Sequence, residues 1–146
     1  MSQLDGTYYM YPLSVAAHCM AINYEAFEAA GALQYIDEET RTWTTDNFVK
    51  AMEAVRDAAA AGTININTPG IIYCGAQGGD QGTRALVNNL YSDYFVNEDG
   101  TAYTANSENN VKALKLLQDM VNNGSMSANA SFAAADELQA LSLIHI

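Results

Sequence analysis

The chain is poor in bases, in cysteine and in long apolar runs. Lysine and arginine number 6 against 17 acids, a net charge of −11. That balance argues against nucleic acid, because phosphate binding needs clustered Lys and Arg, and against an anionic membrane surface. Acidity is otherwise a statement about solubility. The two cysteines, Cys19 and Cys74, lie far apart, so no CxxC pattern or Cys/His cluster points to zinc. They read as two buried thiols in strands, and the spacing leaves a disulfide open. No apolar stretch approaches the roughly 20 residues of a membrane span. At the amino end, MSQLDG has neither the basic nor the apolar region of a secretory signal. What that says about compartment depends on Met1 being the true start.

Catalytic signatures are equally scarce. Neither GxSxG nor HExxH occurs, and no GK[ST] or GxGxxG marks a phosphate or dinucleotide loop. His18 lies in an apolar stretch, where a core or cleft-edge imidazole fits better than a general base; His145 is the other histidine. Carboxylates are plentiful, yet DEET at 37–40 and NEDG at 97–100 read as solvated loops. Nothing in the spacing places two acids across a cleft in the manner of a glycosidase.

What is present suits one domain with a real core: 49% of the 146 residues are hydrophobic. Residues 8–15 are rich in aromatic and β-branched types around Pro12, which restricts them to an edge or crossing strand. HCMAIN reads as a short buried strand, and Asn23 then caps a helix over YEAFEAAG that Gly31 closes. In TWTTDNFVKAMEAVRDAAAAG, a cap at Thr44 puts Trp43 and Phe48 at hydrophobic-staple spacing, with Asp46 favouring the dipole. Phe48, Met52, Val55 and Ala59 recur at helical spacing, and Gly62 ends the helix. Further on, Ser107 caps a helix with a predicted apolar stripe of Val111, Leu114, Leu117 and Val121, which Gly124 stops. Lys112, Lys115 and Asp119 fall on its wet side. Between these helices lie the strand IIYCG, the loop GAQGGDQG, a helix over TRALVNNLYSDYF, and a hairpin VNEDGTAYTA turning at Asp99-Gly100. Strands alternating with helices predict an α/β domain with a largely parallel sheet.

The glycine-rich loop is the main candidate for chemistry. It follows a strand and precedes a helix, which places backbone N–H groups at the carboxyl edge of the sheet, where ligands bind in open α/β folds. A tight connecting loop is the alternative. Gln77, Asp80 and Arg84 offer hydrogen bonds to a polar ligand, and the nine tyrosines and one tryptophan offer faces that suit a sugar ring or a core. From the residues alone, the reading is an α/β ligand-binding domain that is not an enzyme.

The order of four segments carries further. DGTYYMYPLSVAAHC, then AINYEAFEAAG, then TWTTDNFVKAMEAVRDAAAAG, then DGTAYTANSENNVKALKLLQDMVNNG resembles the extracellular solute-binding proteins of ABC importers. The likeness is to the carbohydrate-binding group that includes maltose-binding protein, and it covers residues 5 to 140. It implies a periplasmic-binding-protein-like fold of two α/β lobes joined by crossing strands, with a sugar or oligosaccharide held between them and delivered to membrane permease subunits. No cofactor is implied. Residues 1–16 would be the start and hinge-crossing strand, and residues 17–140 a partial second lobe. The ligand contacts so implied are Tyr73, Gln77 and Asp80, with Ser14 and Arg84 beside them. Ala16 and Ala17 stand where some relatives carry a polar contact, so the ligand set must differ. A location outside the cytoplasmic membrane, lipid-anchored in a longer protein, is implied too. The alternatives are a ligand-sensing domain of the same fold and part of an extracellular carbohydrate-active enzyme.

The carboxyl end departs from the resemblance. SFAAADELQA opens as a helix capped by Ser131, but LSLIHI follows with no closing Gly, Pro or Asn. Residues 141–146 resemble the in-frame translation of a transposase mosaic end used in sequencing libraries. The expectation is a gene fragment with a non-native tail, which alone would bind sugars poorly and tend to aggregate through unpaired edges.

Overall fold

A computed structural model describes residues 3–4, 6–8, 20–65 and 80–126. Of the described residues 52% are helical. The sole ladder among them pairs β1 (Gln3–Leu4) antiparallel with β2 (Thr7–Tyr8). Gly6, at φ 77°, lies between them in the left-handed region that glycine enters without a Cβ penalty. The strand IIYCG and the crossing strand after Tyr8 lie outside the described residues. Of HCMAIN, the described Met20–Asn23 carry no ladder, so this part of the predicted strand runs as irregular chain into the next helix.

That helix, α1 (Tyr24–Ala29), starts where Asn23 Oδ1 accepts from the Ala26 N–H at 3.1 Å. It ends with Gly31 at φ 67°, where the Ala32 N–H reaches Phe27 O at 2.8 Å and the Gly31 N–H reaches Glu28 O at 2.9 Å. Both bonds satisfy carbonyls that the helix end would otherwise strand. Helix α2 (Thr45–Ala60) begins the same way, with Thr44 Oγ1 accepting from the Asn47 N–H at 3.2 Å. A cap of this kind contributes about 1 kcal/mol. The staple is present: the Trp43 and Phe48 rings lie 5.4 Å apart, and Phe27 stacks on Trp43 at 6.4 Å. A single 3₁₀ turn, Leu33–Tyr35, carries the chain from α1 back against α2.

Helices α3 (Asp80–Leu90) and α4 (Glu108–Asn122) form a second packed pair. One apolar cluster joins the pairs: Phe27, Phe48, Met52 and Val55 meet Val87, Leu90, Leu117 and Met120. Burying a side chain the size of Phe48 contributes about 2–3 kcal/mol. Two polar ties cross the same junction. Thr45 Oγ1 donates to Leu90 O, and Arg56 Nη1 donates to Asn123 O and Ser125 Oγ at 3.3 and 3.2 Å.

The structure corrects the sequence reading in three places. Helix α3 does not run over residues 83–95; it begins at Asp80, inside the glycine-rich stretch, and stops at Leu90. Its stop uses Ser92 at φ 53°, with the Asp93 N–H reaching back to Asn88 O at 3.0 Å. That is the same closure glycine provides for α1, at a residue that pays about 1–2 kcal/mol for the conformation. The predicted hairpin at Asp99-Gly100 is a single bridge, Val96 to Tyr103. Its turn spans 97–100, closed by the Gly100 N–H donating to Asn97 O at 3.0 Å, while Asn97 Oδ1 accepts from Thr101 N and Ala102 N. The apolar stripe on α4 holds at Leu117, which is buried, and at Val121, which packs against the core, but not at its first two positions. Val111 and Leu114 are 53% and 51% exposed, and Asn110, Ala113, Leu117 and Met120 face the core. Lys112, Lys115 and Asp119 are exposed as expected.

Candidate functional site

The five residues nominated from the sequence divide sharply. Ser14, Tyr73 and Gln77 lie outside the described residues. Asp80 is the first residue of α3, and Arg84 is exposed one turn further along it. The structure therefore brings two of the five onto one helix. Among the described residues no three His, Cys, Asp or Glu side chains group to hold a metal ion. No described helix is long and apolar enough to cross a membrane.

The most organised polar surface among the described residues is the connection between α3 and α4. Asp93 stands at its start, where its Oδ1 accepts from the Tyr94 N–H at 2.8 Å and its Oδ2 accepts from the Ser107 hydroxyl. The Ser107 hydroxyl, then the Tyr94 N–H, hold the Asp93 carboxyl below the ordinary carboxylate range. The same Ser107 oxygen caps α4 by accepting from the Asn110 N–H at 3.2 Å. Asn110 completes the arrangement from inside: fully buried, its Nδ2 donates to Tyr94 O at 3.1 Å and Thr104 O at 3.0 Å. The Thr104 N–H donates to Phe95 O at 2.8 Å and its hydroxyl to Tyr94 O at 2.6 Å.

These bonds set two tyrosines on neighbouring stretches of backbone, Tyr94 at 68% and Tyr103 at 88% exposure. Close by, Lys112 Nζ lies 4.3 Å from the centroid of the Tyr91 ring, a cation–π contact at the surface. Aromatic faces beside hydroxyl and amide groups suit stacking against a flat polar ring. An ionised Asp93 accepts hydrogen bonds and holds no proton to give, while the Ser107 hydroxyl is occupied as donor and acceptor.

Sequence reasoning named Ser107 only as a cap and missed Asp93 and Asn110 altogether. Asp93 carried a usable signal, a Ser-Asp pair following a helical run. Asn110 carried none, since an asparagine in the first turn of a helix ordinarily points to solvent. Comparison with known protein families, with curated proteins and with solved structures gives no match to this chain.

Proposed function

We propose that this chain is part of the substrate-binding component of an ABC-type importer, which captures a sugar or oligosaccharide between two lobes and delivers it to membrane permease subunits. The observation that carries the reading is the order and spacing of the four sequence segments. Supporting it, the caps of α1, α2 and α4 fall on Asn23, Thr44 and Ser107, each inside one of those segments. On this reading residues 17–140 belong to one lobe of a periplasmic-binding-protein-like fold. Tyr73, Gln77, Asp80, Ser14 and Arg84 supply its ligand contacts, and the whole protein works outside the cytoplasmic membrane on a lipid anchor.

Calorimetric titration of the complete protein encoded around this stretch, against a panel of mono- and oligosaccharides, tests the reading. One or more sugars should bind, and Tyr73→Ala or Gln77→Ala should weaken binding by about tenfold or more, as removal of a buried contact does. Retained thermal stability of the variants would show that the loss is local. Failure of every saccharide, or binding indifferent to all five positions, sinks the proposal.

A further inference from the structure

The carboxyl end of α4 carries the dipeptide Asn123-Gly124. The peptide nitrogen after an asparagine can attack the side-chain amide carbon, and glycine, lacking a Cβ, obstructs that approach least. The Gly124 nitrogen, deprotonated by hydroxide, would form a bond to Asn123 Cγ. The Cγ–Nδ2 bond then breaks, ammonia leaves, and a five-membered succinimide remains. Water opens the ring at either carbonyl, leaving an aspartyl or isoaspartyl residue at position 123. Water is the only co-reactant, and no oxidant or reductant enters.

In the folded chain this route is held shut. Asn123 sits at φ −88°, ψ 0°. Ring closure needs Cβ and the Gly124 nitrogen nearly eclipsed about the Cα–C bond. That means turning ψ by about a third of a turn, into a region L-residues seldom occupy. The nucleophile is engaged as well, since the Gly124 N–H donates to Val121 O at 3.2 Å. The amide is fixed by the Ser125 N–H donating to Asn123 Oδ1 at 2.9 Å. From α2, Arg56 Nη1 clamps both Asn123 O and the buried Ser125 hydroxyl, at 3.3 and 3.2 Å.

The other helix ends show what is unusual. In α1 and α2 the N–H following the closing glycine, that of Ala32 or Thr63, binds the backbone carbonyl of Phe27 or Ala58. In α4 the equivalent N–H belongs to Ser125 and binds the Asn123 side chain instead. The Ser125 N–H thus depends on the Asn123 side chain, while the Met126 N–H closes the helix end on Met120 O at 3.1 Å.

We propose that Asn123 is a covalent modification site, a spontaneous deamidation locus gated by the α4 cap. It is shut while the cap is formed and converts when the cap opens. The isoaspartyl product adds a methylene to the main chain, so the Ser125 and Arg56 contacts cannot re-form as they were. Conversion to the isoaspartyl form therefore loosens the tie between α2 and α4 for good.

The test holds the purified protein at mildly alkaline pH, folded and in concentrated urea. Fragmentation mass spectrometry follows the replacement of NH2 by OH at each asparagine. In urea, conversion should concentrate at Asn123 over its neighbour Asn122; in the folded protein it should run at least about tenfold slower, because local opening gates it. Arg56→Ala should raise the folded rate several-fold and leave the urea rate unchanged. Arg56→Lys should raise it less, because a single ammonium does not reproduce the guanidinium fork, and it serves in place of the alanine variant should that one not fold. Equal rates in the two states, no preference for Asn123 in urea, or a folded rate unmoved by either variant would overturn the proposal.

Discussion

Replacing Asn110 by alanine probes the contact on which the α3–α4 connection rests. The side chain is fully buried, and its Nδ2 donates to Tyr94 O and Thr104 O at 3.1 and 3.0 Å. Two neutral hydrogen bonds contribute about 1 kcal/mol each. Neither acceptor is orphaned by their loss, because Tyr94 O keeps the Thr104 hydroxyl at 2.6 Å and Thr104 O keeps the Ser107 N–H at 2.9 Å. Against this, Asn110 Oδ1 is itself buried without a partner, and its removal returns about 1 kcal/mol. The net loss is then about 1 kcal/mol, a factor on the order of 5 in the folded-to-unfolded ratio. Asn110→Asp should be worse than Asn110→Ala, since it sets a carboxylate against two carbonyl oxygens in a dry site. Urea denaturation should show a lower midpoint at unchanged slope, and amide exchange should show the N–H groups of Asn97 and Thr104 losing protection first. An alanine variant within about 0.5 kcal/mol of the parent, or an aspartate variant milder than the alanine one, would refute the reasoning.

Two further predictions follow from the same helix and its cap. Val111→Ser with Leu114→Ser should change stability by under about 0.5 kcal/mol in a urea melt, whereas Leu117→Ala should cost about 2–4 kcal/mol; a reversed order would restore the stripe read from the sequence. Asp93 is held lower in the folded chain than its ordinary value by Ser107 and the Tyr94 N–H. Its contribution is therefore full above the unfolded value of about pH 4 and drains away as pH falls through the folded value. Asp93→Asn should flatten the loss of melting temperature below about pH 4, and an unchanged acid slope would show that the carboxylate contributes nothing there.

The sequence by itself determined the helices whose ends are written in local chemistry. Asn23, Thr44 and Ser107 cap because a short polar side chain reaches an N–H three residues on. Gly31, Gly62 and Gly124 close because each adopts a positive φ. Trp43 and Phe48 meet because the staple spacing is fixed by helix geometry. Of the candidate site, the tyrosines and Ser107 were legible as residue types, but their arrangement was not.

Tertiary structure decided the rest. The end of α3 at Leu90 depends on Ser92 accepting a left-handed conformation, and Asp93 and Asn110 hold the chain beyond it from a distance. No local propensity forecasts a serine there. The inward face at the start of α4 has the same origin. Counted by hydrophobicity, Val111 and Leu114 belong inside; Asn110 is buried in their place, and its amide adds a second donor to each of two loop carbonyls, Tyr94 O and Thr104 O. A periodic pattern locates a helix, while the partners it must satisfy decide which face turns inward.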